Sequence, residues 1–159
     1  MKPKVYIETT VPSYLTGRPS RDLVIVGHQE LTREWWNDRR DDFDLYISQF
    51  VLDEAGAGDI QMARKRLEVL DGIEEIKITE EALQLAEKLV ISGIIPPVAA
   101  TDAAHIAVAA INGMDYLLTW NCKHIANAEV MKKIYSFCKS EGYDCPLICT
   151  PIELMEGEE

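Results

Sequence analysis

Two rhythms of apolar residues alternate along this chain: short unbroken runs, and longer stretches at helical spacing. Strands are predicted at 5–7, 45–48, 116–119 and 147–150, where Val, Tyr, Ile and Leu follow one another between polar residues. Residues 73–78 alternate apolar and charged side chains and predict a further strand exposed on one side. Between these runs lie a short helix around 13–16 and a long amphipathic helix over 22–40, carrying Leu23, Val26, Leu31, Trp35 and Trp36 with Gly27 as its weak point. Further helices are predicted at 49–55, capped by Ser48, and at 60–70, after the break Gly56-Ala57-Gly58-Asp59. Thr79 opens a helix that turns Leu83, Leu85, Ala86, Leu89 and Val90 inward and ends at Gly93, and a last helix spans 128–143.

The helix over 101–112 differs from the others. Ala, Ile and Val occupy nearly every side of it, so the whole helix is predicted to be buried. Thr101 is placed to cap it, Asp102 falls in its first turn, and Asn112-Gly113 supplies the stop. Strands alternating with helices predict a mainly parallel α/β sheet covered on both faces, and such sheets gather ligands outside the carboxyl ends of their strands. Glu8 and Asn121 each follow a strand, while Glu54 and Asp102 lie in helices that can pack beside the same ends. Three carboxylates and an amide are hard oxygen donors suited to Mg²⁺ or Mn²⁺. Taken singly, the same residues also fit a turn, a solvated helix face, a helix cap and an Asx-turn, and spacing alone leaves both readings open.

A chain of 159 residues suits one core, predicted as a single domain over 1–152 followed by a frayed acidic tail over 153–159. The 16 basic residues against 27 acidic ones, a formal charge of −11, exclude a strongly basic protein that coats duplexes by charge alone. They do not exclude phosphate ligands, because bound cations reverse the local field. Neither a signal-peptide run nor eighteen consecutive apolar residues occurs, which predicts a cytoplasmic protein without a membrane partner. Cys122, Cys138, Cys145 and Cys149 lack the paired spacing of zinc sites and read as reduced structural thiols. Trp35-Trp36 exceeds what a solvated helix face needs, so one ring is expected in the core and an exposed neighbour would mark a partner groove.

Four segments, in order, resemble the motifs of PIN-domain nucleases, in particular VapC-like toxins. Val5 to Leu15 resembles the first, a strand ending in an acidic residue followed by Thr and a small helix; Ser48 through Glu54 resembles the second. Asp102-Ala103-Ala104-His105-Ile106-Ala107 resembles the third, and Leu117-Leu118-Thr119-Trp120-Asn121 the fourth. Two positions depart from the pattern: Glu8 stands where Asp is usual, and Asn121 where Asp is frequent.

The resemblance implies a PIN-like three-layer α/β/α fold and a Mg²⁺- or Mn²⁺-dependent endoribonuclease that leaves a 5′-phosphate and a 3′-hydroxyl. Glu8, Glu54 and Asp102 would hold the metal, Asn121 would orient it or its water, and Thr9 and Thr119 would add hydroxyls. His105 is assigned to packing or support, since imidazole matches such a cation poorly. Arg18, Arg21, Lys123 and His124 are candidate RNA contacts. The family further implies a homodimer and, for the toxin of a type II toxin-antitoxin pair, an antitoxin protein as partner. A PIN-fold RNA-binding or scaffold protein weakened at Glu8 and Asn121 is the alternative, and a phosphoacceptor domain ranks below both because no Asp closes a strand.

Overall fold

The computed structural model describes residues 1–156. Its five strands are β1 (Lys4–Ile7), β2 (Asp44–Ile47), β3 (Glu74–Glu75), β4 (Tyr116–Leu118) and β5 (Leu147–Cys149). They form one sheet in the order β3-β2-β1-β4-β5, with every pairing parallel. Seven α-helices accompany it: α1 (Thr10–Thr16), α2 (Leu23–Asp38), α3 (Gln49–Ala55), α4 (Ile60–Leu70), α5 (Glu80–Ile91), α6 (Ala100–Ile111) and α7 (Ala128–Ser140). The chain starts on central β1, works outward to β3, and then crosses back to β4 on the other side of β1. The switch point therefore lies between β1 and β4, where a parallel sheet opens its ligand crevice.

Central β1 is buried at Val5, Tyr6 and Ile7, as expected for a strand covered on both faces. The predicted strand over 73–78 shrinks to two residues because β3 sits at the sheet edge, where Ile76 N–H reaches Ile47 O and pairing then stops. Helix α6 buries Ala103, His105, Ile106 and four more residues in succession, and its alanines let α5 approach closely. Asn112 and Gly113 end it as predicted; Gly113 adopts φ +68°, which favours glycine.

Several local expectations need correction. Thr101 does not cap α6: a 3₁₀ turn over Pro97–Ala99 moves the start one residue earlier, and Thr101 lies exposed within the helix. Leu83 faces solvent, 46% exposed, since Ala82, Leu85 and Leu89 set the buried stripe of α5. Helix α7 stops at Ser140, before Gly142 at φ +89°. Both tryptophans are buried, Trp35 against Phe43 and Trp36 beneath the Arg40 guanidinium, so neither ring marks a groove. Glu153 and Leu154, expected in the frayed tail, belong to a 3₁₀ helix over Pro151–Leu154, which Thr150 and Glu153 close with a capping box. Arg39 Nε donates to Leu154 O at 3.1 Å and ties this turn to α2. Residues 157–159 lie outside the described residues.

Helix α2 runs unbroken through Gly27, with Asp22 accepting from the N–H groups of Val24 and Ile25. A Cβ on Gly27 would meet nothing within 4 Å. Gly27→Ala is thus expected to stabilise the protein by up to about 1 kcal/mol and raise Tm by roughly 2–4 °C. Thermal unfolding followed by circular dichroism checks this, and an unchanged or lower Tm would refute it.

Candidate metal centre

Three strands deliver polar residues to one end of the sheet: Glu8 follows β1, Ser48 follows β2, and Thr119 follows β4. Glu8 N–H donates to Leu118 O at 3.1 Å, which continues the β1–β4 ladder past the strand ends and fixes Glu8 at the switch point. Its side chain is only 3% exposed. Oε1 accepts from Thr10 Oγ1 at 2.5 Å, Thr119 Oγ1 at 2.6 Å and Thr10 N at 3.2 Å. Among the described residues Oε2 has no hydrogen-bond partner.

Helix α3 brings Glu54 to the same place. Its Oε1 accepts from Thr9 Oγ1 at 2.7 Å and contacts Nε2 of His105, carried by α6. Glu8, Glu54 and His105 each offer a donor atom, and these atoms all lie within 4.8 Å of one another. Asp102, one turn before His105, is half-buried and does not join them at that distance. It nonetheless feels the charges of Glu54, His105 and His124, so it borders the group.

Burial pushes the Glu8 carboxyl above its usual range, with His105 and the threonine donors offsetting part of that rise. Burial raises Asp102 likewise, opposed first by the Asn121 side chain and then by His105 and His124. Glu54 is driven the other way: its partial burial is outweighed by the His105 contact and charge and by Thr9, so it stays ionised below the ordinary carboxylate range. The Tyr6 phenol is raised far above its ordinary value by desolvation and remains neutral. A buried acid and a half-buried one that resist ionisation, beside a third that is ionised, make a site that a cation would complete, since it would offset the desolvation of the carboxylates. Carboxylate oxygens with one free lone-pair side fit a hard divalent cation.

Of the sequence-predicted residues, Glu8, Glu54, Thr9 and Thr119 come together directly, with Asp102 alongside. Asn121 closes an Asx-type turn, its Oδ1 accepting from His124 N at 3.1 Å, while its side chain also favours the charged form of Asp102. His124 lies near Asp102, whereas Lys123 is exposed beyond it. Arg18 and Arg21 are exposed in the loop after α1, and among the described residues neither makes an ion pair. That loop is held by buried Gln29, which accepts from Ser20 N and donates to Arg18 O, both at 3.0 Å. Sequence reasoning passed over Thr10, Tyr6 and Gln29. Only Thr10 carried a signal, standing two residues beyond an acid at a strand end.

The four thiols form no disulfide among the described residues. Among those residues, no helix is long and apolar enough to cross a membrane.

Together these elements define a PIN-like three-layer α/β/α fold built on a five-stranded parallel sheet, with an acidic crevice at its switch point. Neither a protein-family model nor a curated protein sequence matches the chain. Among solved structures it is similar to a chain of the crystal structure of VapBC2 from Rickettsia felis bound to a DNA fragment from their promoter. The likeness has a TM-score of 0.59 at 15% sequence identity and covers 92% of this chain and 98% of that one. At this identity the likeness is one of fold, and it agrees with the fold that the four sequence motifs imply.

Proposed function

We propose that this protein is a Mg²⁺- or Mn²⁺-dependent endoribonuclease and the toxin half of a toxin-antitoxin pair. The observation that carries the reading is the pairing of Glu8 and Glu54 at the switch point, each with Oε1 occupied by protein donors and Oε2 without a partner among the described residues. Asp102 supplies the third carboxylate, and Asn121, beside it, steadies Asp102 and orients the cation or its water. A bound divalent cation supplies an acidified water and offsets charge developing on the scissile phosphate. The chain's part is to hold its carboxylates against mutual repulsion: Thr10 and Thr119 clamp Glu8, and Thr9 clamps Glu54. Lys123, His124, Arg18 and Arg21 are the candidate phosphate contacts, with the Gln29-braced loop presenting the two arginines.

The VapBC2 likeness supports an antitoxin protein as partner; the homodimer is what the family resemblance implies. Surface chemistry agrees with a protein partner. Leu23, Val24 and Ile25 are exposed at the start of α2, and an apolar groove of about 540 Å³ runs along α4 between Gly56 and Asp71 without touching the acidic group.

Incubation of the purified protein with a mixed RNA pool and Mn²⁺ tests the activity. Wild type is expected to cut and Asp102→Asn to lose cutting. Equal cutting by both would displace the site, and no cutting by wild type would favour the RNA-binding or scaffold reading.

A further inference from the structure

His105 is fully buried, yet both of its ring nitrogens are engaged. Nε2 contacts Glu54 Oε1, and Nδ1 lies 2.6 Å from the Tyr6 hydroxyl, which in turn lies 2.8 Å from Ser48 Oγ. One set of protons satisfies the whole column: Ser48 O–H donates to Tyr6, Tyr6 O–H donates to His105 Nδ1, and Nε2–H donates to Glu54. The column links the end of β2, the centre of β1, α6 and the acid carried by α3. Ser48 occupies the N-cap position of α3 but makes no capping hydrogen bond, its hydroxyl being turned to Tyr6. Phe50 meets the His105 ring edge-on, with centroids 6.3 Å apart.

We infer that the Ser48–Tyr6–His105 column positions Glu54, holding Oε1 so that Oε2 alone is offered to the cation. This rests on the metal-centre reading above. The arrangement mirrors Glu8, where two threonine hydroxyls and one backbone N–H occupy Oε1. Thr9 alone holds Glu54 weakly, since a single hydroxyl leaves the half-exposed carboxylate free to swing towards solvent. His105 thus acts through Glu54 and does not itself bind the metal. Its ring is held from behind by Tyr6 and Ser48, both fully buried.

Mn²⁺ binding to the full chain, measured by calorimetry together with pulsed electron paramagnetic resonance, tests this without any RNA. His105→Leu is expected to weaken Mn²⁺ binding by about 10- to 100-fold, the usual consequence of removing a group that orients a ligand. His105→Gln, whose amide can stand where Nε2 stood, should recover most of the loss. Tyr6→Phe removes only the hydroxyl and should weaken binding in the same direction by less. The wild-type spin echo should show no directly bonded nitrogen. A directly bonded imidazole nitrogen would overturn the inference, as would wild-type affinity in a folded His105→Leu protein. Should that variant fail to fold, Tyr6→Phe decides, and unchanged affinity there overturns it. A wild type that binds no Mn²⁺ removes the metal-centre reading and this inference together; unaltered binding in the variants removes this inference alone.

Discussion

Glu8→Gln is expected to abolish metal-dependent RNA cleavage while leaving the metal-free protein at least as stable as wild type at neutral pH. The amide keeps an oxygen to accept from Thr10 and Thr119, so the packing of the crevice survives. It removes the charge that a cation would bind, and losing a ligand should exceed the roughly 100-fold effect of losing a group that merely orients one. The stability half follows from the direction of the Glu8 shift. Burial raises its folded-state pKa above the ordinary 4.5, so the folded protein binds more protons than the unfolded chain in the window between the two. Stability from the neutral carboxyl is therefore full below 4.5 and is lost as pH rises through the raised value. At neutral pH wild type carries that penalty and the glutamine does not. Metal-free Tm should favour Glu8→Gln at pH 7 and converge with wild type towards pH 4.5, while added Mn²⁺ should raise Tm for wild type only. Wild-type cleavage by the variant would sink the role given to Glu8.

The sheet was legible in the sequence because its central strands are uninterrupted apolar runs, and α6 because no polar face interrupts its alanines. Edges were less legible. Whether 73–78 pairs over six residues or two depends on what lies beside it, which alternation cannot reveal. The start of α6 was misplaced because Pro96-Pro97 encodes a 3₁₀ turn whose last residue passes directly into the helix, making Thr101 unnecessary as a cap. Trp35 and Trp36 both go inward because Phe43 and Arg40 follow α2 and fold over them.

At the site, residue types were legible and their partners were not. Ser48 and Thr9 both sit where a helix begins, and sequence rules assign such hydroxyls to capping. Neither caps its helix: Ser48 turns to Tyr6, and Thr9 turns to Glu54. Each helix start forgoes a contribution of about 1 kcal/mol so that a carboxylate or its support is held in place. Local rules fail at these two positions because the competing partner is remote in sequence, 42 residues away for Ser48 and 45 for Thr9. The same cause hid the partner of His105, since helical spacing places it near Asp102 while the fold gives it to Glu54, 51 residues distant.

Trp120→Ala is expected to bring the largest loss of stability among residues next to the site. The ring is 6% exposed, stacks on His28 with centroids 4.1 Å apart, and lies parallel to Tyr14 at 5.8 Å. Its Nε1 donates to the buried Thr32 hydroxyl at 2.7 Å, and its backbone N–H donates to Thr10 Oγ1 at 2.8 Å. Removing the indole forfeits about 3–5 kcal/mol, a fall in Tm of roughly 6–20 °C for a chain of this size. The damage should reach the crevice, because Trp120 lies between Thr119, which holds Glu8, and Asn121, which supports Asp102. Mn²⁺ affinity should therefore fall at temperatures where the variant is still folded. Trp120→Phe keeps a ring for His28 to stack on and loses only the indole donor and some volume, so it should retain most of both properties. A Tm shift below about 2 °C for Trp120→Ala would mean that the stack does not anchor β4 to α1 and α2.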